Sequence, residues 1–385
     1  MKRIVWIGLL ILVFLGIVWG VENSSLRSDG TISTNLVTNT TAPDGFVRAD
    51  GSHTWNFPAD YGPHPEYQTE WWYYTGNLQT SNGRRFGYQL TFFRRGLLPP
   101  ENTKERASRW ATNQVYMGHF AISDITAQEH QGFEHFSRGA AGLAGTQSEP
   151  FQVWLENWKV EELGMGQWRL EAEQDGVKID LVLTDGKGAI LQGEDGYSQK
   201  GPETGNASYY FSQPRLISEG VLEINGNEFQ VSGLSWMDHE FSTSASSPGQ
   251  VGWDWFSLQL EDGTDLMVFQ IRREDGSIDP FSSGTLSTPR GKVIRLEQDD
   301  FDIQPRKNWH SPHSGATYPV DWEINIPKQD LTLEIQPYMN DQEMNVSYIY
   351  WEGAVSIRGN YLGQGVTGNG YVEMTGYSSP MEGGF

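Results

Sequence analysis

The chain has 385 residues, 49 acidic against 27 basic side chains, a net charge of −22 and no cysteine. Such an acidic chain repels a phosphate backbone, so nucleic acid is excluded as a partner. The missing cysteines exclude disulfides, thiol catalysis, zinc–thiolate sites and a lipidated N-terminal cysteine.

Lys2 and Arg3 precede an apolar run from Ile4 to Val21. A positive start followed by a hydrophobic segment reads as a signal peptide or a membrane anchor over residues 1–21, and the sequence leaves both open. In either case the positive-inside rule expects the bulk of the chain in the periplasm or on the outer face of the cytoplasmic membrane. Residues 22–44, rich in Ser, Thr and Asn, read as a flexible tether.

From Phe46 onward, short alternating or aromatic runs recur without helical periodicity. They include Trp71–Leu78, Arg85–Arg94, Val177–Leu183, Val221–Ile224, Trp255–Leu260 and Leu331–Ile335. Ser81-Asn82-Gly83, Asp175-Gly176, Asn225-Gly226-Asn227 and Asp262-Gly263 supply residues at ease with positive φ between them. With 44 Gly, 15 Trp, 16 Tyr and 18 Phe, the expected class is all-β, a barrel or a sandwich.

The chain also repeats itself. Glu219-Gly220 through Gly226-Asn227 aligns with Glu352-Gly353 through Gly359-Asn360; Trp236 then matches Tyr371, and Asp238 matches Glu373. Trp71-Trp72-Tyr73-Tyr74 opens one half as Trp253-Asp254-Trp255-Phe256 opens the other. This internal duplication gives an N-terminal domain over 45–235 and a C-terminal domain over 236–385. Strand alternation puts Trp236, Asp238 and Glu240 on one face, an acid among large aromatics.

Four blocks carry a resemblance: Glu70-Trp71-Trp72-Tyr73-Tyr74-Thr75-Gly76, Tyr209-Tyr210-Phe211-Ser212-Gln213-Pro214-Arg215-Leu216, Gly233-Leu234-Ser235-Trp236-Met237-Asp238-His239-Glu240-Phe241 and Gly370-Tyr371-Val372-Glu373-Met374-Thr375-Gly376-Tyr377. In this order they resemble the AttH-like and carotenoid 1,2-hydratase family. The resemblance implies two tandem lipocalin-like antiparallel β-barrels enclosing a hydrophobic ligand of isoprenoid, carotenoid or lipid type. It also implies one of two activities: hydration of a carbon–carbon double bond, or non-catalytic carriage for an ABC-type permease.

Hydrating an unactivated alkene needs a strong acid beside an apolar pocket, and a buried carboxyl can hold a proton near neutral pH. Asp238 is the expected proton donor, with His239 orienting it; Asp254 and Glu373 are further candidates. The alternative is that Asp238 and His239 tie the domain crossover together. Trp71, Trp72, Tyr74, Trp236, Phe241, Trp253, Trp255 and Tyr371 are the expected ligand-binding residues, competing with a plain core role for the Trp71–Tyr74 cluster. No cofactor is assigned. No metal is assigned either: His310 and His313 flank a proline in a polar loop. Gly363-x-Gly365-x-x-Gly368 leads into a strand, so it is not a dinucleotide turn.

Overall fold

The computed structural model describes residues 44–102, 108–244 and 246–380. The expected leader and nearly all of the tether lie outside the described residues. The first domain contains β1 (Thr69–Gln79), β2 (Arg85–Gly96), β3 (Gln114–Asp124), β4 (Glu129–Arg138), β5 (Ala144–Ser148), β6 (Phe151–Leu155), β7 (Trp158–Gly164), β8 (Gln167–Gln174), β9 (Val177–Asp185), β10 (Ile190–Leu191), β11 (Tyr197–Gln199), β12 (Ala207–Ile224) and β13 (Asn227–Ser242). The second contains β14 (Gln250–Leu260), β15 (Asp265–Arg273), β16 (Ser283–Ser287), β17 (Val293–Glu297), β18 (Asp302–His310), β19 (Thr317–Ile326), β20 (Leu331–Pro337), β21 (Glu343–Met344), β22 (Tyr350–Tyr361) and β23 (Gln364–Met374).

The first sheet runs β4-β3-β2-β1-β13-β12-β9-β8-β7-β6-β5, and the second runs β17-β16-β15-β14-β23-β22-β20-β19-β18. One closes almost into a barrel and the other is a half-barrel, as expected of two lipocalin-like units. Their hairpins follow the turn chemistry. Asp175-Gly176 and Asn225-Gly226 both take positive φ, at 47° and 81° and at 51° and 78°, which matches the right-handed twist of the strands they join.

Two details differ from the sequence alignment. The β22–β23 turn lies at Leu362-Gly363, both at positive φ, while Gly359 and Asn360 sit inside β22. Glu352 is therefore not the counterpart of Glu219. It lies opposite Glu373, just as Ser212 lies opposite Asp238. In addition, β13 pairs with β1 as far as Ser242. Residues 236–242 thus complete the first barrel, and the second sheet begins at Gln250.

Successive side chains on a strand point to opposite faces, and this decides where everything lies. In β1, Trp72 and Tyr74 enter the core of the first barrel while Tyr73 joins a separate cluster with Tyr210, Trp236, Trp255, Phe269 and Tyr371. In β14, Phe256 and Leu258 fill the half-barrel, and Trp255 points the other way. Each large side chain buried in these cores is worth about 1.5–3 kcal/mol. Each unit has its own hydrophobic core, and the outer faces of the two sheets meet over an aromatic seam. Hydrogen bonds lace that seam: Asn77 donates to the Gly370 carbonyl at 2.9 Å, Gln259 to that of Pro214 at 2.6 Å, and Lys187 to Asp265 at 2.7 Å.

Candidate active site between the two barrels

A cavity of about 170 Å³ opens in the seam. The lipocalin resemblance leads one to expect a cavity inside a barrel. A second cavity, of about 230 Å³, lies against the half-barrel core, lined by Asp254, Arg272, Phe301, Ile303 and Trp322, while this one lies between the two units. The first barrel contributes Trp71 and Tyr73 from β1, Tyr210 from β12, and Asp238 and Glu240 from β13. The second contributes Trp253, Trp255, Phe269, Tyr350 and Glu373. Partly exposed Lys200, Ser244, Ser246 and Gln250 line its rim.

Asp238 is buried, and three donors converge on it. The Tyr210 hydroxyl donates to Oδ2 at 2.5 Å, Ser212 to Oδ1 at 2.5 Å, and the Trp236 indole to Oδ1 at 2.6 Å. Burial pushes its carboxyl up to about 7. The three donors pull the other way, and Glu240 nearby adds to the rise. Trp255 in turn donates to the Tyr210 oxygen at 3.1 Å, holding the phenol in place from the other domain.

Glu373 stands in the equivalent place on the second barrel. Asp238 faces Tyr73 across the β1–β13 ladder, and Glu373 faces Trp255 across β14–β23. Burial lifts Glu373 to about 7 as well, against the hydrogen bond from the Trp253 indole. The Trp253 indole donates to Glu373 Oε1 at 2.5 Å. Behind it, Glu352 is fully buried; burial and the Glu373 charge hold its carboxyl well above the ordinary range. Glu352 Oε2 accepts from the Tyr73 hydroxyl at 2.9 Å, and its Oε1 has no hydrogen-bond partner among the described residues. The charge of Asp238 also raises Glu373, so the two cavity carboxyls sense each other.

The structure separates several expected site residues from this cavity. His239 follows Asp238 along β13, so its ring enters the first barrel. There it stacks on Trp72 at 4.9 Å, with Nε2 at 2.9 Å from Glu70 Oε1 and Nδ1 at 3.1 Å from the Asp60 carbonyl. Burial holds it below the usual histidine range. Asp254 likewise lies on the far side of β14, bound by Gln270 at 2.8 Å and Arg272 at 3.1 Å. Trp72 and Tyr74 are core residues of the first barrel. Phe241 packs with Tyr67 and Tyr209 under the N-terminal segment. Tyr371 and Trp236 belong to the seam cluster. Trp71, Trp253, Trp255, Asp238 and Glu373 are brought together at the cavity.

Tyr210, Ser212, Tyr73 and Glu352 are site residues that the sequence reading did not single out. Alternation in Tyr209-Tyr210-Phe211-Ser212 places Tyr210 and Ser212 on one face. Their partner emerges only from the β12–β13 register, which sets them opposite Glu240 and Asp238.

The AttH-like family model matches residues 48–377. A crystal structure of an AttH protein from Nitrosomonas europaea superposes with a TM-score of 0.77 at 33% identity, over 86% of this chain and 100% of that one. Kievitone hydratase from Nectria haematococca superposes with a TM-score of 0.67 over 87% and 98% of the two chains; at 16% identity this likeness concerns the fold alone. Dehydratase asqC from Emericella nidulans is 20% identical over 216 residues, 54% of this chain, and the match spans 60% of that relative's length. With a family match over nearly all of the described residues and a full-length structural counterpart, the chain belongs to the AttH-like family.

Proposed function

We propose that this protein takes a hydrophobic small molecule of isoprenoid or lipid type into the cavity between its barrels and adds water across, or removes it from, a carbon–carbon double bond. One observation carries the reading: two buried carboxyls, one from each barrel, face a single aromatic cavity, and burial pushes both up to about 7. A pair poised at the working pH can supply one proton and accept another.

The roles follow from the hydrogen bonds. Asp238 Oδ1 already accepts two donors and Oδ2 only one, so Oδ2 is where a proton sits. Glu240 favours the protonated state of both carboxyls, and we assign the acid role to Asp238 on its open Oδ2 position. Glu373 accepts the Trp253 indole, which favours its ionised state and suits it to the base role. Protonation by Asp238 turns one alkene carbon into C–H and leaves a cation at the other. The faces of Trp71, Trp253 and Trp255 stabilise that cation. Water attacks it and gives a proton to Glu373, so one water is added in all; dehydration runs the same steps backwards. The kievitone hydratase and the asqC dehydratase are relatives whose names match this chemistry. The N-terminal apolar run supports work on the outer face of a membrane.

A second reading uses the same aromatic walls: a non-catalytic carrier that hands its ligand to an ABC-type exporter. The test is lipid extraction of the purified full chain, followed by incubation of the recovered ligand with protein in heavy-oxygen water. Incorporation of one heavy oxygen by wild type and not by Asp238→Asn is the expected result. A stoichiometric ligand returned unchanged by wild type overturns catalysis and leaves the carrier.

A further inference from the structure

A second cluster of titratable groups sits away from the cavity, where residues 53–64 cross the first barrel. Asp60, in a short 3-10 turn, is flanked by two imidazoles. His64 Nε2 is 3.2 Å from Asp60 Oδ1, and His53 Nε2 is 3.7 Å from Asp60 Oδ2. The two imidazole nitrogens and the carboxylate oxygen all lie within 4.8 Å of one another. His53 Nε2 is buried and has no hydrogen-bond partner among the described residues.

We propose that His53, Asp60 and His64 form a binding site for a zinc-like divalent cation. Zn–N and Zn–O bonds of about 2.0–2.1 Å in a tetrahedron put neighbouring donors about 3.3 Å apart; His64 Nε2 stands 3.2 Å from Asp60 Oδ1, and one donor atom from each of the three residues falls within 4.8 Å of the others. Two histidines and one carboxylate leave the fourth position to water.

The surroundings are those of a held ligand set. Glu70 Oε1 lies 3.0 Å from His64 Nδ1, so a carboxylate fixes the tautomer that turns Nε2 toward Asp60. Arg94 pins Glu70 at 2.8 Å, and the Asn56 N–H pins Asp60 at 2.5 Å. The His64 ring stacks on Phe241 at 3.6 Å, and His53 packs on Trp55 at 4.7 Å. The neighbouring group of His64, Glu70 and His239 is a poorer choice, because the Arg94 guanidinium already occupies Glu70. Filled, the site ties residues 53–64 to one another, and the His64–Glu70 contact joins that segment to β1. Unfilled, Asp60, His64 and Glu70 keep one another as an ion network.

The experiment is calorimetric titration of zinc chloride into the untagged full chain after dialysis against chelator. One saturable site and a higher melting temperature with zinc are expected. His53→Ala removes a ligand and spares the Asp60–His64–Glu70 network, so it should melt like wild type without zinc and bind zinc more than about tenfold more weakly. His313→Ala, which removes the surface His313–Asp341 pair, should bind as wild type does. No saturable binding by wild type, or equal binding by His53→Ala, overturns the proposal.

Discussion

The Tyr73 hydroxyl of the first barrel donates to Glu352 of the second at 2.9 Å, in a contact closed to solvent on both sides. It ties β1, which also carries Trp71 of the cavity wall, to the carboxyl pair behind Glu373. Tyr73→Phe leaves a buried carboxyl oxygen without its donor, which costs about 1–3 kcal/mol. Denaturant unfolding should show that loss, still in a single transition, because the seam joins the two barrels. Separate transitions for the two barrels in the variant would show that this bond holds them together; an unchanged midpoint would show that it contributes nothing.

Asp238→Asn should abolish turnover while keeping the fold. The new carbonyl still accepts Ser212 and Trp236. The amide can donate to Tyr210, whose hydroxyl is free to turn. Loss of a general acid lowers the rate by about 10²–10⁴-fold. The variant should bind the extracted ligand as wild type does, since the aromatic walls are untouched. Retained turnover would remove Asp238 from the mechanism.

His239 makes the opposite prediction. Its ring is held between Trp72, Glu70 and the Asp60 carbonyl inside the first barrel. His239→Ala should therefore lower stability by about 2–3 kcal/mol, from lost packing and a lost partner for Glu70. Turnover per folded molecule should be unchanged. A fall in turnover with a wild-type melting temperature would return His239 to the chemistry.

The contrast between these neighbours shows what the sequence reveals. Strands at Arg85–Arg94 and Val177–Leu183 were legible from apolar patterning and fall within β2 and β9. The long β12 was legible only at Val221–Ile224, because Pro214 and Arg215 sit in a bulge that reads as a break. The shared face of Trp236, Asp238 and Glu240 followed from alternation. Which face was interior did not follow, because Trp71-Trp72-Tyr73-Tyr74 is aromatic on both. Packing of two barrels decides that, and it also separates His239 and Asp254 from the cavity. Glu352 was visible as a Glu-Gly signal, but its pairing with Glu373 depends on where the β22–β23 turn closes.

The cavity carboxyls should also set opposing pH optima for activity and stability. With Asp238 needed protonated and Glu373 ionised, both pushed up to about 7, the rate should follow a bell centred near neutrality. Glu373→Gln should erase its acid limb. For stability, these acids are raised in the folded state. Above the ordinary carboxyl range the unfolded chain has released protons that the folded chain still holds, so stability falls as pH rises toward 7. Each group contributes at most about 1.4 kcal/mol per pH unit over that window. Glu352, held well above the ordinary range, extends the decline past neutrality. Melting temperatures measured between pH 5 and 8 should therefore fall with pH in wild type and fall less in Glu373→Gln. Equal slopes would mean that Glu373 is not the buried, raised carboxyl that a base facing this cavity must be.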